Sequence, residues 1–396
     1  MTETITLAPA PRWPVISALG VVMIFTWGST YYLMAVLAAP IAQDTGWSLE
    51  AITGALSAGL LTAGLASPAT GRAIAAYGGR PVLAFGCLLI AIGLLIVAAA
   101  TQIWIFWAGW LVLGFGMAAG LYDPAFAALG RLYGLDARSA ITQLTLWGGF
   151  ASTLCWPLST LLLDTWGWRG VAVAYAVIHL CGTLPLILLA IPAAPARASR
   201  DHRHSARLPD LSRKERRIFA LMAAMLILNG LVVVTIATWL FTFLQAEGVS
   251  LATAVALGTL IGPAQVGARV LEMAGRGRHH PIWTLAAATI AIAVGLCLLA
   301  LDHQLAGAAL VIFGGGNGLF SIARGSFPLS VFGAERYPAL MGRLARPSLV
   351  AQAVAPMLGA WMIGWSSPQE TLMLTAALAL ANIALLAMMW GALRQK

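Results

Sequence analysis

Apolar residues dominate twelve long blocks of this chain, at approximately 14–40, 49–71, 82–100, 103–130, 139–163, 170–191, 218–244, 250–272, 282–301, 305–332, 344–365 and 370–392. Each is close to or above the ~20 residues with which a helix crosses a hydrocarbon layer ~30 Å thick. Polar and apolar positions do not alternate inside the blocks, so the ~10-residue dyad pattern of barrel strands is excluded. Helices also satisfy their own backbone groups in lipid. The pattern predicts an all-α membrane protein with twelve transmembrane helices.

The blocks repeat. At an offset of 199, the glycine-rich stretch Leu111 to Gly134 aligns with Leu310 to Gly333, pairing Gly116 with Gly315 and Tyr133-Gly134 with Phe332-Gly333. The same offset takes Pro157 to Pro356 and Trp166 to Trp365. Two pseudo-symmetric six-helix bundles are therefore expected, over 1–192 and 218–396, joined by a basic linker at 193–217. Many membrane transporters are built from such duplications, with the site at the repeat interface. Glycines inside the blocks, such as Gly114, Gly116 and Gly120, let membrane helices approach closely.

Composition agrees with the pattern: 60% of residues are hydrophobic and 9% charged, against roughly 25% charged in soluble domains. Charge then sets orientation. With both termini in the cytoplasm, Arg169 alone among the 23 Lys and Arg residues falls outside. Cytoplasmic loops are expected to collect Lys and Arg in this way. The net charge of +9 is thus an orientation signal, and no nucleic-acid partner is implied. Linker arginines can instead touch anionic lipid. Met1 to Pro14 lacks the build of a cleavable signal, so the first block is expected to stay as an anchor. A bacterial-type inner membrane and a monomeric chain are the expected setting.

The hairpin after the second block reads GRAIAAYGGRP. It resembles the signature of the major facilitator superfamily, with Gly71, Tyr77, Gly78 and Arg80 in register; Ala75 and Ala76 replace its acid and base. The family acid helps hold the outward-open state, so that lock is expected to be built differently here. Within the superfamily the chain is similar to the monocarboxylate and oxalate transporter branch. Asp44, Gly46, Trp47 and Ser48 carry that likeness, as do Gly167-Trp168-Arg169 and Arg269, which follows Gln265 by four residues. An Asp usually stands at the position of Gln265 in animal monocarboxylate carriers.

Ionisable groups inside the blocks are functional candidates, because a charge at depth is costly without a cavity or partner. Asp123 lies eight residues before Arg131, roughly 12 Å deeper at 1.5 Å per residue. Arg324 lies nine residues before Gly333, about 14 Å from that end by the same rise. The resemblance implies that helices 1, 4, 7 and 10 line a central cavity, where these two would face each other. Arg324 would then be an anion ligand and Asp123 a protonatable, proton-coupling carboxylate. The alternative is a gate pair, or mutual neutralisation. Arg269 either shares anion binding or snorkels to the interface. Tyr31, Tyr122, Asn229, Asn317 and Gln265 complete the candidate substrate site, beside Trp27, Tyr32 and Trp239.

Other chemistry finds no support. With Lys214 and Lys396 as the chain's lysines, no phosphate loop can be assembled. Cys87, Cys155, Cys181 and Cys297 lie inside the blocks, as packing residues. His202, His204, His279 and His280 sit in basic stretches that offer no set of nearby carboxylates or thiols to complete a metal site, and His179 stands alone in an apolar block. No metal or other cofactor is expected, and the scattered acids speak against a membrane enzyme. The sequence thus points to a secondary transporter for a small organic anion, monocarboxylate-like and proton-coupled; proton-driven efflux of amphipathic drugs or metabolites is the alternative.

Overall fold

The computed structural model describes residues 12–193, 211–275 and 279–394. Most of the expected linker, with His202, His204, Arg276 and Arg278, lies outside the described residues. Among the described residues all regular structure is helical. In the first half, α1 (Arg12–Ser29) and α2 (Leu33–Thr45) form span 1, α3 (Leu49–Tyr77) span 2 and α4 (Gly79–Ala98) span 3. Helices α5 (Ile103–Gly120) and α6 (Tyr122–Tyr133) form span 4; α7 (Ala137–Gly148) leads into α8 (Ala151–Ile178), which runs through spans 5 and 6 to a π-helical turn (His179–Thr183) and α9 (Leu184–Ala190).

In the second half, α10 (Arg213–Ala246) is span 7, α11 (Leu251–Gly258) with α12 (Ile261–Ala274) span 8, and α13 (Pro281–Leu301) span 9. Helix α14 (Ala306–Trp365) holds spans 10 and 11, and α15 (Pro368–Arg394) is span 12.

Among the described residues, nine apolar helical runs are long enough to cross a membrane, and two hold 88 and 63 residues. At 1.5 Å per residue these two would reach ~130 and ~95 Å, so they fold back. They fold back at glycine. Gly134, Gly167 and Gly333 take φ of 59°, 65° and 73°, a left-handed backbone open to a residue without Cβ. The nine runs thereby make twelve crossings.

The repeat is visible in shared contacts. A Cβ on Gly114 would meet the Gly59 carbonyl, and one on Gly314 would stand 2.7 Å from the Ile261 carbonyl. Gly116 packs on Ile90 and Gly316 on Ile292 in the same way. The Arg169 guanidinium donates to the Ala100 carbonyl at 3.1 Å, and the Gln369 amide donates to the Ala300 carbonyl at 2.8 Å. The packing glycines, Arg169 with Gln369 and Ala100 with Ala300 are offset by 200, whereas the turn glycines Gly134 and Gly333 are offset by 199. Gly116 therefore corresponds to Gly316 rather than to Gly315. Span 4 holds one residue more than span 10 between its packing glycine and its turn glycine. Its helix is interrupted in between, at Leu121 (φ −86°, ψ −165°), immediately before Tyr122 and Asp123.

Candidate functional site

The interruption at Leu121 starts a new helix in the middle of span 4. Asp123 occupies the first turn of α6, where unpaired backbone N–H groups favour an anion. Across the two halves, Arg324 Nη2 donates to both carboxylate oxygens at 2.6 and 2.7 Å. Both side chains are largely buried, 16% exposed for Arg324 and 12% for Asp123. One nitrogen does all this work. Arg324 Nε is buried with no hydrogen-bond partner. Beside Asp123, a crevice that holds no more than one water is walled by Ser67, Thr70 and Gly342.

Arg269 is 5% exposed and does not snorkel. Its guanidinium crosses to the other half, where Nη1 donates to the Thr145 carbonyl at 2.9 Å. Longer contacts reach the Gly318 carbonyl at 3.4 Å and Gln265 Oε1 at 3.5 Å. Among the described residues no carboxylate pairs with it, so a buried cation rests on neutral acceptors. Tyr122 donates to the same Thr145 carbonyl at 3.3 Å. Thr145 lies at the α7–α8 junction, which the Gly148-Gly149 pair loosens; Gly149 leaves room for the guanidinium, 2.5 Å from where a Cβ would stand. The acceptor is a backbone atom, so side-chain reasoning missed it; the glycine pair is the signal in the sequence.

Aromatic rings adjoin these charges. Trp27 lies 5.4 Å from Tyr31, 5.9 Å from Tyr32 and 5.2 Å from Tyr122, and Tyr32 lies 6.0 Å from Trp156. Tyr122 stacks on Phe126 at 5.2 Å. Span 1 is broken at Thr30–Tyr32, which turns these rings together. Trp156, not foreseen, lines an open groove of about 580 Å³ with Ser152, Thr153, Pro157, Thr160, Leu161 and Asp164. Asn229 and Asn317 do not join the charged cluster by any hydrogen bond: Asn229 Oδ1 is buried and unpartnered, and Asn317 is half-buried one residue before Gly318. Trp239 packs its indole against Gly359 and is not part of the aromatic cluster around Trp27.

The halves meet at the end that carries the basic hairpins. A Cβ on Gly71 would stand 2.5 Å from the Pro338 carbonyl and 3.0 Å from Gly342 Cα. Gly130 packs on Tyr337 and Gly325 on Phe126. Gly78 ends α3 with φ 89°; Tyr77 is exposed and Arg80 half-buried. With alanine at 75, Arg131 caps the carbonyls of Ile74, at 2.8 Å, and Ala75. A second tie joins span 5 to span 8. Arg138 Nη2 lies 3.5 Å from Glu272 Oε1, and the Arg138 Nη1 donates to the His279 carbonyl. His279 nonetheless has a carboxylate beside it: Glu272 Oε1 is 3.2 Å from its Nε2. Helix α12 and the start of α13 bring together residues that the intervening loop separates in sequence.

Two motifs far apart in sequence also meet. Asp44 Oδ2 accepts from Arg169 at 2.6 Å and from the Trp168 indole at 2.8 Å, and the guanidinium lies 4.1 Å over the Trp168 ring. They staple the rim opposite the basic end and do not reach the charged cluster.

The family model for the Major Facilitator Superfamily matches residues 19–345. Human monocarboxylate transporter 11 is 34% identical over 165 residues, 40% of this chain and 33% of that protein. Rat monocarboxylate transporter 3 is 26% identical over 309 residues, 74% of this chain and 61% of that protein. The matched segments thus span one third and about three fifths of those relatives. Among solved structures, the human organic anion transporter MFSD10 (TETRAN) superposes with a TM-score of 0.75 at 16% identity, covering 95% of this chain and 99% of that one. The proton:xylose symporter XylE gives a TM-score of 0.76 at 11% identity, covering 96% and 95%. At such identities the likeness concerns the fold.

Proposed function

The chain belongs to the major facilitator superfamily, a family of membrane transporters and not of enzymes, and on that premise we propose that it carries a small organic anion, monocarboxylate-like, in symport with protons. The observation that carries this reading is Arg269. A guanidinium buried among carbonyls and an amide, with no acid beside it among the described residues, is costly in a membrane interior. A carboxylate ligand would supply the missing charge in forked geometry. Arg324, whose Nε has no partner, is the second donor. When substrate engages Arg324, Asp123 loses its partner, and its freed carboxylate is the candidate carrier of the coupled proton. Anion and proton then travel together. The rings of Trp27, Tyr31, Tyr32 and Tyr122 would hold the apolar body of the solute.

The expected setting is a bacterial-type inner membrane with both termini cytoplasmic and the chain working as a monomer. The basic end, where the halves touch, would be the cytoplasmic gate, closed in this conformation. Uptake of labelled pyruvate, lactate and oxalate into proteoliposomes tests the proposal. Wild-type uptake should rise with an inward proton gradient, Arg269→Ala and Arg324→Ala should abolish it, and Asp123→Asn should leave residual uptake indifferent to the gradient. Uptake that survives both arginine replacements removes the anion reading. The aromatic cluster together with a self-neutralised Asp123–Arg324 pair favours a second reading, export of amphipathic compounds, which would show as protection of cells from hydrophobic toxins.

A further inference from the structure

His179 lies deep between spans 1, 3 and 6, fully buried, and opens the π-helical turn His179–Thr183. Its Nε2 is 2.7 Å from Ser29 Oγ, and its Nδ1 is 2.9 Å from Thr183 Oγ1. Cys87 Sγ lies 3.1 Å from the same threonine oxygen. Thr183 donates to the His179 carbonyl at 3.2 Å, which leaves its oxygen to accept from Nδ1–H. Nε2 then accepts the Ser29 hydroxyl, and every polar atom of a neutral imidazole is satisfied.

Ser29 is not an ordinary helical residue. The Tyr32 N–H donates to the Trp27 carbonyl at 3.0 Å, five residues back, so span 1 widens by one residue around Ser29. A widened turn in span 1 therefore faces a widened turn in span 6. The bond from Ser29 to His179 joins them. Wide turns in helices recur at functional sites because they re-aim neighbouring side chains. Here the residues re-aimed are Trp27, Tyr31 and Tyr32, three rings of the aromatic cluster.

We propose that His179 is a positioning residue: through Ser29 it holds the wide turn of span 1 and thereby sets the aromatic wall that grips the solute body. The proposal rests on the substrate reading above only for the identity of that solute. The two ring nitrogens separate the roles. Glutamine places its amide near the position of Nε2 and keeps the Ser29 contact, whereas asparagine reaches only as far as Nδ1 and keeps the Thr183 contact.

With labelled lactate as probe, His179→Asn and Ser29→Ala should each raise KM at least five-fold with kcat within two-fold, and His179→Gln should stay within two-fold of wild type in both. Hydrogen exchange of the peptide covering 26–34 needs no substrate and should quicken in His179→Asn and Ser29→Ala but not in His179→Gln. If glutamine and asparagine behave alike in exchange, or Ser29→Ala leaves it unchanged, the positioning role is overturned. Quickened exchange in a protein that carries no carboxylate overturns the substrate reading alone.

Discussion

At the scale of single residues, the Asp123–Arg324 contact has an energetic consequence that does not depend on what is carried. Breaking a buried ion pair from one side strands the other charge and costs about 3–5 kcal/mol, while removing both charges is often neutral. Asp123→Asn and Arg324→Gln should each lower the thermal unfolding midpoint of the purified, ligand-free protein, and the double replacement should recover most of that loss. A double variant less stable than either single one would mean that the two groups do not pair. Arg269 behaves differently, since no acid would be stranded by its loss. Arg269→Gln is expected to leave the midpoint unchanged or raised, and added lactate should stabilise the wild type but not this variant, as measured by thermal shift. Asp123 and Arg324 were legible in the sequence as charges at depth, whereas for Arg269 the sequence left anion binding and snorkelling open. The Thr145 carbonyl was not legible: it still accepts from the Gly149 N–H at 3.1 Å, and the second lone pair that takes Arg269 leaves no mark in the sequence.

Among elements, glycine decides where spans touch and where they turn. Gly342 faces backbone, the Gly71 Cα and N at 3.0 Å and the Ser67 carbonyl closer still, and backbone cannot rotate away as a side chain can. Gly342→Ala should therefore part spans 2 and 11 at the basic end. Spin labels placed on those two spans should report a longer or broader distance than in wild type; an unchanged distribution would mean that the contact does not hold the gate. The twelve blocks could be read from hydropathy, because lipid imposes apolar length directly on the sequence, and the repeat from glycines, prolines and tryptophans that recur at a fixed offset. The one-residue slip between spans 4 and 10 could not. A constant offset fits both ends of the alignment to within one position, and only the packing of Gly114 and Gly116 against their neighbours reveals that the extra residue is absorbed at Leu121, where it starts the helix that carries Asp123.

For the molecule as a whole, the inter-half contacts named above join spans 2, 4 and 5 of the first half to spans 8, 10 and 11 of the second, and the position of the hairpin acid that would help hold this state in the family is filled by Ala75. Something else has to resist separation, and Glu272 is placed to do so. Its Oε1 lies 3.5 Å from Arg138 of the first half, and it accepts from Thr284 at 2.8 Å within its own half. Its side chain is 10% exposed, so solvent screens it less than a surface pair. By contrast, Arg12 and Asp136, 2.7 Å apart but 48% and 73% exposed, belong to the class of surface bridges worth ~0–1 kcal/mol. Glu272→Gln keeps the shape and the Thr284 contact while removing the charge that draws Arg138 across the interface. If about 1.4 kcal/mol of closure is lost, the ratio of closed to open molecules falls tenfold. Labelling of a cysteine introduced at Ala127, beneath the Asp123–Arg324 pair on the basic side, should then quicken by a comparable factor in Glu272→Gln and stay near the wild-type rate in Asp136→Asn. Equal rates in the two variants would return the gate to apolar packing of Phe126 and Tyr337, and would remove electrostatics from the control of closure.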